Sequence, residues 1–451
     1  MQPAFGWIAI VRLGLVQTAL GAIVVLTTST LNRVMVVELA LPALVPGLLV
    51  TLHHGLQMLR PRWGYGSDRG GGRTPWILGG MAVLGAGGVL AAAAVALMSL
   101  STGAGIALGV AAFGLVGIGV GAAGTSLLVL LSERVAPERK AQAATIVWIM
   151  MIAGFVVTAA TAGRLLEPFS MTRLVQVAAG VSVAAVLLSV AALWRLEPRT
   201  VVPSGARTAD PERRAAFRQT LAAVWAEPEA RRFTAFIFVS MLAYSMQDLI
   251  LEPFAGTVFG MSPGETTRLG GIQNGGVLVG MILVAVLGHR TERTPDGVLR
   301  RWMVGGCLAS AVSLALIAAA GAAGPPFPLK AAVAALGLSN GAFAIAAIGS
   351  MMALAAGGRS ATGDRDRNGT RMGVWGAAQA IAFGLGGLVG TAAADAARLL
   401  VGSPALAYAA VFAVEAGVFV VAAGIAARIR AEGAGTATRQ SYLGAGGPQA
   451  A

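Results

Sequence analysis

The sequence has little cysteine, histidine or charge. Its 451 residues include one cysteine, Cys307, and three histidines, and 12% of the residues are charged. A single cysteine excludes an intramolecular disulfide framework and a cysteine-based metal site. Three histidines argue against a histidine-rich metal site, so we expect no protein-bound metal. Soluble domains carry about 25% charged residues, and this shortage excludes an ordinary soluble enzyme and a disordered tail protein.

Apolar residues take the place of the missing charges. They make up 56% of the chain, and the mean hydropathy is +0.75. A helix needs about 20 apolar residues to cross a bilayer, and twelve runs meet that requirement. They are approximately Leu13–Leu31, Leu41–Leu59, Trp76–Leu97, Gly105–Leu131, Ala143–Ala162, Val175–Leu193, Phe233–Leu251, Leu269–Leu287, Met303–Ala323, Leu329–Ala355, Val374–Ala394 and Ala405–Ala427. We interpret the first run as a retained helix rather than a cleaved signal peptide.

The basic residues predict the orientation of these spans. With the N-terminus inside, 27 of the 33 lysines and arginines fall on the cytoplasmic side. This asymmetry is the positive-inside pattern, and it places both termini in the cytoplasm. Because the net charge of +13 is spread over short loops between apolar runs, it does not indicate a nucleic-acid partner. The lipid bilayer is the partner that it implies.

The spans divide into two sets of six. We predict an N-terminal half over residues 1–194, a cytoplasmic linker over 195–232, a C-terminal half over 233–430 and a polar cytoplasmic tail over 431–451. The linker contains eight arginines. It is either a plain tether or carries a short amphipathic helix, Pro211–Trp225, on the anionic inner leaflet. Weak echoes between the halves, such as Trp148 and Trp375, indicate an internal repeat of the kind found in transporters.

A glycine-rich loop follows the second span. Its sequence, Gly64-Tyr-Gly-Ser-Asp68-Arg69-Gly-Gly71-Gly-Arg73, resembles the GxxxDRxGxR signature of the major facilitator superfamily. The resemblance implies an all-α membrane fold of twelve transmembrane helices in two pseudo-symmetric halves. In that family the motif has a structural and gating role. The residues that match it here are Gly64, Asp68, Arg69, Gly71 and Arg73.

Polar residues inside membrane spans are costly and mark candidate functional sites. Asn32, Arg33 and Glu38 lie at the outer end of the first span, and Gln247, Asp248 and Glu252 lie at the outer end of the seventh. We predict that Arg33 and Asp248 form an ion pair, or share a network with Glu38 and Glu252, that closes the outer side between the halves. The alternative is a buried clamp with no ligand role.

Two further polar positions lie near the middle of spans. Glu415, in the twelfth run, has no counterpart in the repeat and is a protonated acid that faces lipid, an acid that is hydrogen-bonded to a neighbouring helix, or a proton-coupling group. His53 and His54 are adjacent in the second run. Successive helical residues point about 100° apart, so we expect at most one of these histidines to face a given pocket.

Several runs together are similar to the PucC family, a branch of the major facilitator superfamily. They are Leu31-Asn-Arg-Val-Met-Val-Val-Glu38, Gln247-Asp-Leu-Ile-Leu-Glu-Pro253 and Gly373-Val-Trp-Gly-Ala-Ala-Gln-Ala-Ile-Ala-Phe-Gly384. The short loop after the second span resembles the subgroup that is encoded among bacteriochlorophyll synthesis genes and carries a synthase label. No NDxxD diphosphate-binding motif of a prenyltransferase is present in the sequence, so we interpret that label as an association and expect a non-enzyme.

The resemblance implies a membrane assembly factor that binds or delivers bacteriochlorophyll, or a late precursor. Its partners would be bacteriochlorophyll synthesis enzymes and light-harvesting or reaction-centre subunits, in the inner membrane or its intracytoplasmic extensions. The candidate pigment-binding residues are His53, which is a possible axial ligand of the pigment magnesium, and Gln247, Asp248, Trp375 and Gln379. Two alternatives stay open: a proton-coupled facilitator for a small molecule, and a scaffold that binds no pigment.

Overall fold

The computed structural model describes residues 5–57, 72–136, 139–197, 225–288, 295–357 and 367–429. All regular secondary structure in these ranges is helical. We number the helices α1 to α12 in chain order. They are α1 Trp7–Glu38, α2 Leu44–Leu56, α3 Thr74–Met98, α4 Thr102–Arg134, α5 Lys140–Leu165, α6 Met171–Leu193, α7 Pro228–Phe259, α8 Pro263–Gly288, α9 Pro295–Ala323, α10 Leu329–Gly357, α11 Arg367–Val401 and α12 Pro404–Ala427.

Eleven helices within the described residues are long and apolar enough to cross a membrane, so the chain is a multi-pass membrane protein. The exception is α2, whose 13 residues extend about 20 Å at 1.5 Å per residue. The prediction for this span reached Leu59, and residues 58–71 lie outside the described part of the chain. Helix α7 begins at Pro228, five residues before the predicted start. A proline at the first helical position favours helix initiation. The turn that follows is polar, so a search for apolar runs does not detect this start.

The first helix of each half is irregular toward its C-terminal end, which the distribution of basic residues predicts to be the outer end. Helix α1 spans 32 residues and contains two π-helical turns, Leu26–Thr30 and Val34–Glu38. Helix α7 also spans 32 residues and breaks between Asp248 and Leu251. A break leaves backbone carbonyls without intrahelical partners. The corresponding ends of α1 and α7 therefore both present polar backbone or side-chain groups to the opposite half.

The buried side chains form separate cores. One core joins residues of α7 to α12 and contains the large aromatic side chains, among them Phe254, Phe343 and Trp375. Two cores join helices α1 to α6, and one of these also takes in Leu249 of α7. A small cluster of Ile152, Val277 and Met281 connects α5 with α8.

Glycines allow the helices to approach closely. A Cβ added at Gly280 in α8 would lie 2.1 Å from the Leu338 carbonyl oxygen in α10, and one at Gly390 in α11 would lie 2.5 Å from the Met246 oxygen in α7. Between the halves, a Cβ at Gly47 in α2 would lie 2.2 Å from the Thr391 hydroxyl in α11. Small residues have this packing role in membrane helix pairs. The halves therefore meet along α2 with α11, and along α5 with α8.

Candidate functional site

Asn32 in α1 joins the two halves at the break in α7. Its Nδ2 donates a hydrogen bond to the Leu249 carbonyl oxygen at 2.7 Å, and the Asn32 side chain is fully buried. The carbonyl needs a partner because the helix ends there. Asn32 thus caps the first segment of α7 from the opposite half of the molecule.

Arg33 lies beside Asn32 and binds three groups. Its Nη1 donates to Glu38 Oε1 at 2.5 Å, and its Nη2 donates to the Met261 carbonyl oxygen at 2.6 Å. The guanidinium packs against Gly256, where a Cβ would lie 2.9 Å from Nη2. The buried Glu252 carboxylate is also within electrostatic reach of Arg33. One arginine therefore connects both sides of the interface.

The predicted ion pair between Arg33 and Asp248 does not form. The salt bridge that Arg33 makes is with Glu38, five residues along the same helix. A π-helical turn closes on residue i+5, so the turn at Val34–Glu38 brings Glu38 onto the guanidinium. The structure does bring Asn32, Arg33, Glu38 and Glu252 together, whereas no salt bridge joins Asp248 to Arg33.

Further hydrogen bonds cross the outer side of the interface. Both oxygens of Asp395 in α11 accept bonds from backbone groups at the start of α2: Ala43 N at 3.0 Å and Leu44 N at 2.8 Å. The Thr30 and Thr267 hydroxyls lie 3.0 Å apart. Ser262 donates to Glu167. This end of the interface is consequently held together by contacts between the halves.

The two adjacent histidines face different ways. His53 is 1% exposed, and its backbone packs on α4, where a Cβ at Gly117 would lie 2.7 Å from the His53 oxygen. Its Nε2 lies 3.1 Å from Gln57 Nε2. His54 is half-buried and faces α11, with its ring centroid 6.3 Å from that of Phe383. It is therefore His54 that lies between the halves, and helical phase alone could not choose between them.

The other candidate pigment residues lie at different heights along α11. Trp375 is 1% exposed and stacks edge-on against Phe233 with centroids 4.8 Å apart. Gln379 is half-buried one turn further along. Gly390, which contacts the α7 turn that contains Gln247, lies 15 residues from Trp375, or about 22 Å at 1.5 Å per residue. The five candidates therefore form two groups rather than one site.

One polar cluster was missed by the sequence reading. Glu415 in α12 is fully buried, and neither of its oxygens has a hydrogen-bond partner. Asp248, which is half-buried, is near enough to interact electrostatically with Glu415 and with Tyr244. Gln247 is also fully buried, and both of its side-chain polar atoms are without hydrogen bonds. The sequence indicates Glu415 as a candidate, but the internal repeat between the halves does not indicate that Asp248 lies near it.

Of the gating motif, the structure describes Arg73. Its Nη2 contacts Glu133 Oε1 at 2.7 Å, and its backbone N–H donates to Glu197. Glu197 also accepts from the Thr74 backbone, at 2.8 Å, so it caps the start of α3. Gly64, Asp68, Arg69 and Gly71 lie outside the described residues. Among the described residues, no group of three or more His, Cys, Asp or Glu could hold a metal ion.

Comparison with known sequences identifies relatives over most of the chain. The PUCC protein family model matches residues 30–434. A protein of Rhodobacter capsulatus named bacteriochlorophyll synthase 44.5 kDa chain is 53% identical, over 93% of this chain and 94% of its own length. Protein PucC of the same species is 30% identical, over 92% of this chain and 90% of its own length. Protein PucC of Cereibacter sphaeroides is 31% identical, over 90% and 89% respectively.

Two solved structures have a similar fold. A peptide transporter POT in complex with alafosfalin superposes with a TM-score of 0.69 at 13% identity, covering 98% of this chain and 97% of the transporter. A bacterial homologue of the human lysosomal transporter Spinster superposes with a TM-score of 0.63 at 16% identity, covering 93% and 96%. At these identities the likeness concerns the fold, which is that of a facilitator-type transporter.

Proposed function

This chain belongs to the PUCC protein family, and on that premise we propose that it binds bacteriochlorophyll, or a late precursor, and delivers it within the membrane. The donors would be pigment synthesis enzymes, and the acceptors would be light-harvesting or reaction-centre apoproteins. The observation that carries this proposal is the 53% identity with a relative named for bacteriochlorophyll, over nearly the full length of both chains. Handling of the pigment, rather than catalysis, is the activity that we propose.

The interface between α2 and α11 offers a site for the pigment. A neutral imidazole is a suitable ligand for a metal ion, and the half-buried His54 lies at this interface. A Cβ at Gly384 would meet His54 Cβ at 3.7 Å, and the Thr51 hydroxyl donates to the Gly384 carbonyl oxygen at 3.2 Å, so the two helices touch here and would part to admit the pigment. The Phe383 and Tyr244 rings, 5.8 Å apart, supply flat apolar contacts. We propose that His54 would ligate the pigment magnesium and that Gln379, one turn away, would donate a hydrogen bond to pigment carbonyls.

The other candidates have secondary places in this proposal. His53 is buried against α4 and would position His54 through the shared neighbour Gln57, whose Nε2 lies 3.1 Å and 3.4 Å from the two imidazoles. Trp375 would limit the site on the cytoplasmic side. Gln247 and Asp248 would contact pigment only if it moved outward along α11.

The proposal includes a membrane arrangement. We propose twelve spanning helices in two halves, with both termini in the cytoplasm. The distribution of basic residues supports this orientation. The membrane would be the bacterial inner membrane or its intracytoplasmic extensions, because pigment synthesis enzymes and photosynthetic complexes are the proposed partners.

A proton-coupled facilitator is the second candidate function. The facilitator-type fold and the fully buried carboxyl group of Glu415 support it. A facilitator would move its substrate across the bilayer and would need a proton gradient. Pigment delivery needs only lateral exchange within the membrane. A scaffold without pigment is the third alternative, and it would co-purify with the same partners but stay colourless.

The test is the absorption spectrum of the protein purified in mild detergent from a pigment-producing host. We expect a near-infrared band corresponding to about one pigment per chain. His54→Ala should lose or shift this band, while His53→Ala should retain most of it. A colourless wild-type protein that retains pigment enzymes or apoproteins would support the scaffold. A colourless protein that purifies alone and takes up a substrate with protons would support the facilitator.

A further inference from the structure

The first turns of α1 lie between the start of α5 and the end of α6. On one side α1 packs on α5, where a Cβ at Gly14 would lie 2.1 Å from Met150 Sδ. On the other side, Arg12 Nε donates to the Ala192 carbonyl oxygen near the end of α6 at 2.8 Å. These two contacts fix which faces of α1 are covered by neighbouring helices.

The face of α1 between those contacts is apolar and uncovered. Counted at 100° per residue, Ile8 and Val11 lie between Gly14 and Arg12 around the helix. Ile8 is 79% exposed and Val11 is 43% exposed. We call these two residues, with the tryptophans and arginines that border them, the α1 surface.

The border of the α1 surface toward α5 pairs an arginine with a tryptophan. Arg139, immediately before α5, has its Cζ 5.6 Å from the centroid of the Trp7 ring, within the range of a cation–π contact. Trp7 is 45% exposed, and Arg139 is also exposed. The Phe5 backbone N–H donates to the Arg134 carbonyl oxygen at 2.7 Å, which holds the chain just before Trp7 against the end of α4.

The border toward α6 repeats this pairing of residue types. Arg12 is half-buried, and its Nη2 donates to the carbonyl oxygen of Trp194, the residue that follows α6. The Trp194 side chain is 65% exposed. The apolar face of α1 therefore has an arginine and an exposed tryptophan on each side.

The charges of the two border arginines are not balanced by carboxylates in the described part of the chain. Neither Arg12 nor Arg139 forms a salt bridge there. Two carboxyl groups of the same half are bound elsewhere: Glu133 binds Arg73 at 2.7 Å, and Glu197 accepts backbone N–H groups at the start of α3. The α1 surface consequently combines an apolar floor with uncompensated positive charge.

We propose that the α1 surface binds an anionic phospholipid. Arg139 donates hydrogen bonds to the headgroup phosphate, as guanidinium groups do in charge-assisted pairs, and Arg12 adds positive charge from the other side. The two tryptophans lie at the level of the headgroup, where such rings are enriched in membrane proteins. One acyl chain follows the apolar floor toward the middle of the membrane.

The chemistry of the surface favours a lipid over a free anion. A free phosphate would be held by the guanidinium groups alone and would leave the apolar floor in contact with water, whereas a phospholipid covers both. The distribution of basic residues places this end of α1 on the cytoplasmic side, where anionic lipids attract basic groups close to the membrane. The proposal stands independently of pigment handling.

Native mass spectrometry of the detergent-solubilised protein tests the site. The protein is titrated with phosphatidylglycerol and, separately, with phosphatidylcholine, and bound lipids are counted. We expect the first lipid to bind more tightly when it is phosphatidylglycerol, and added salt to reduce this preference. Arg139→Gln should weaken phosphatidylglycerol binding about fivefold, which is the effect of one arginine at an anionic surface.

Arg164→Gln is the matched control. Arg164 is also exposed, and it lies at the opposite end of the same helix, α5, so this change should leave the first binding event unaltered. The comparison of the two lipids on the wild-type protein does not depend on any variant that folds.

Three results would overturn the proposal. Equal binding of the two lipids to the wild-type protein would show that the arginines recognise no headgroup charge. An equal loss in Arg164→Gln and Arg139→Gln would spread the preference over the whole surface. Complete displacement of phosphatidylglycerol by inorganic phosphate would identify a site for a free anion.

Discussion

Asp395 provides the clearest perturbation of the outer interface. Its two oxygens accept the Ala43 and Leu44 backbone N–H groups at 3.0 Å and 2.8 Å, which caps α2 from the other half. Loss of an N-cap typically costs about 1 kcal/mol and up to about 2. If this energy is available only in the closed form, Asp395→Ala shifts the closed-to-open ratio by about five- to thirty-fold.

A reporter cysteine measures that shift. Thr267 is 2% exposed and pairs with Thr30 at the outer interface, so Thr267→Cys should react with a water-soluble maleimide only when the outer end opens. We expect Asp395→Ala to accelerate labelling about five- to thirty-fold, and Asp395→Asn, which retains one acceptor oxygen, to have a smaller effect. The native Cys307 is buried, and a protein without the reporter measures its background.

Equal labelling rates with Asp395 and with Ala at this position would refute the reasoning. The cap would then contribute equally to the closed and open forms, or the outer end would not open. Thermal unfolding that shows a loss of stability equal to the free energy inferred from the labelling rates would also count against the reasoning. The cap would then stabilise the whole fold and not the closed form alone.

Three further predictions concern packing and charge. Gly280→Ala should lower the stability by about 1–3 kcal/mol, because the new Cβ would lie 2.1 Å from a backbone oxygen of α10, as measured by thermal unfolding in detergent. Glu197→Ala should lower the melting temperature, because it removes the acceptor for two backbone N–H groups at the start of α3, at a cost of about 1 kcal/mol. Arg33→Met should destabilise the protein by about 1–3 kcal/mol, because it leaves the Met261 carbonyl oxygen without its hydrogen-bond donor and Glu38 without its salt bridge, as measured by the same assay.

Each of these predictions has a matched control. Gly275→Ala, one turn from Gly280, meets nothing within 4 Å and should be tolerated; equal effects at both glycines would contradict the packing argument. Glu197→Gln retains a side-chain oxygen that can accept a hydrogen bond and should fall between Glu197→Ala and the wild type. For Arg33, the double variant with Glu38→Gln should lose little more stability than Arg33→Met alone, and a loss that is simply additive would show that the two charges are not coupled.

The helices can be predicted from the sequence because a membrane-spanning helix needs a long apolar run and cytoplasmic loops are rich in basic residues. The eleven long spans follow from the free energy of burying apolar residues in lipid, and they were located without tertiary information. The positions where the helices begin and end are harder to predict. The first turn of α7, at Pro228, has the polar composition of a linker, and it is helical because proline favours helix initiation.

Side-chain partners could not be predicted in this way. The choice between His53 and His54 depends on the rotation of α2 against α4 and α11. The partner of Arg33 depends on a π-helical turn, which has no clear sequence signal. Asp248 and Glu415 lie 167 residues apart and meet only because α7 packs on α12. Trp148 and Trp375, which look equivalent in the repeat, differ because one is 40% exposed and the other is buried.

The central claim is delivery of pigment, and a transfer experiment tests it most directly. The pigment-loaded protein, reconstituted in lipid vesicles, is mixed with vesicles that contain light-harvesting apoproteins, and the absorption of both bound forms is followed over time. The account predicts that pigment lost from this protein appears in the apoproteins in equal amount, without a proton gradient, and that His54→Ala protein delivers little. Contradiction would come from pigment that stays on the chain, or from apoproteins that acquire free pigment at the same rate without this protein.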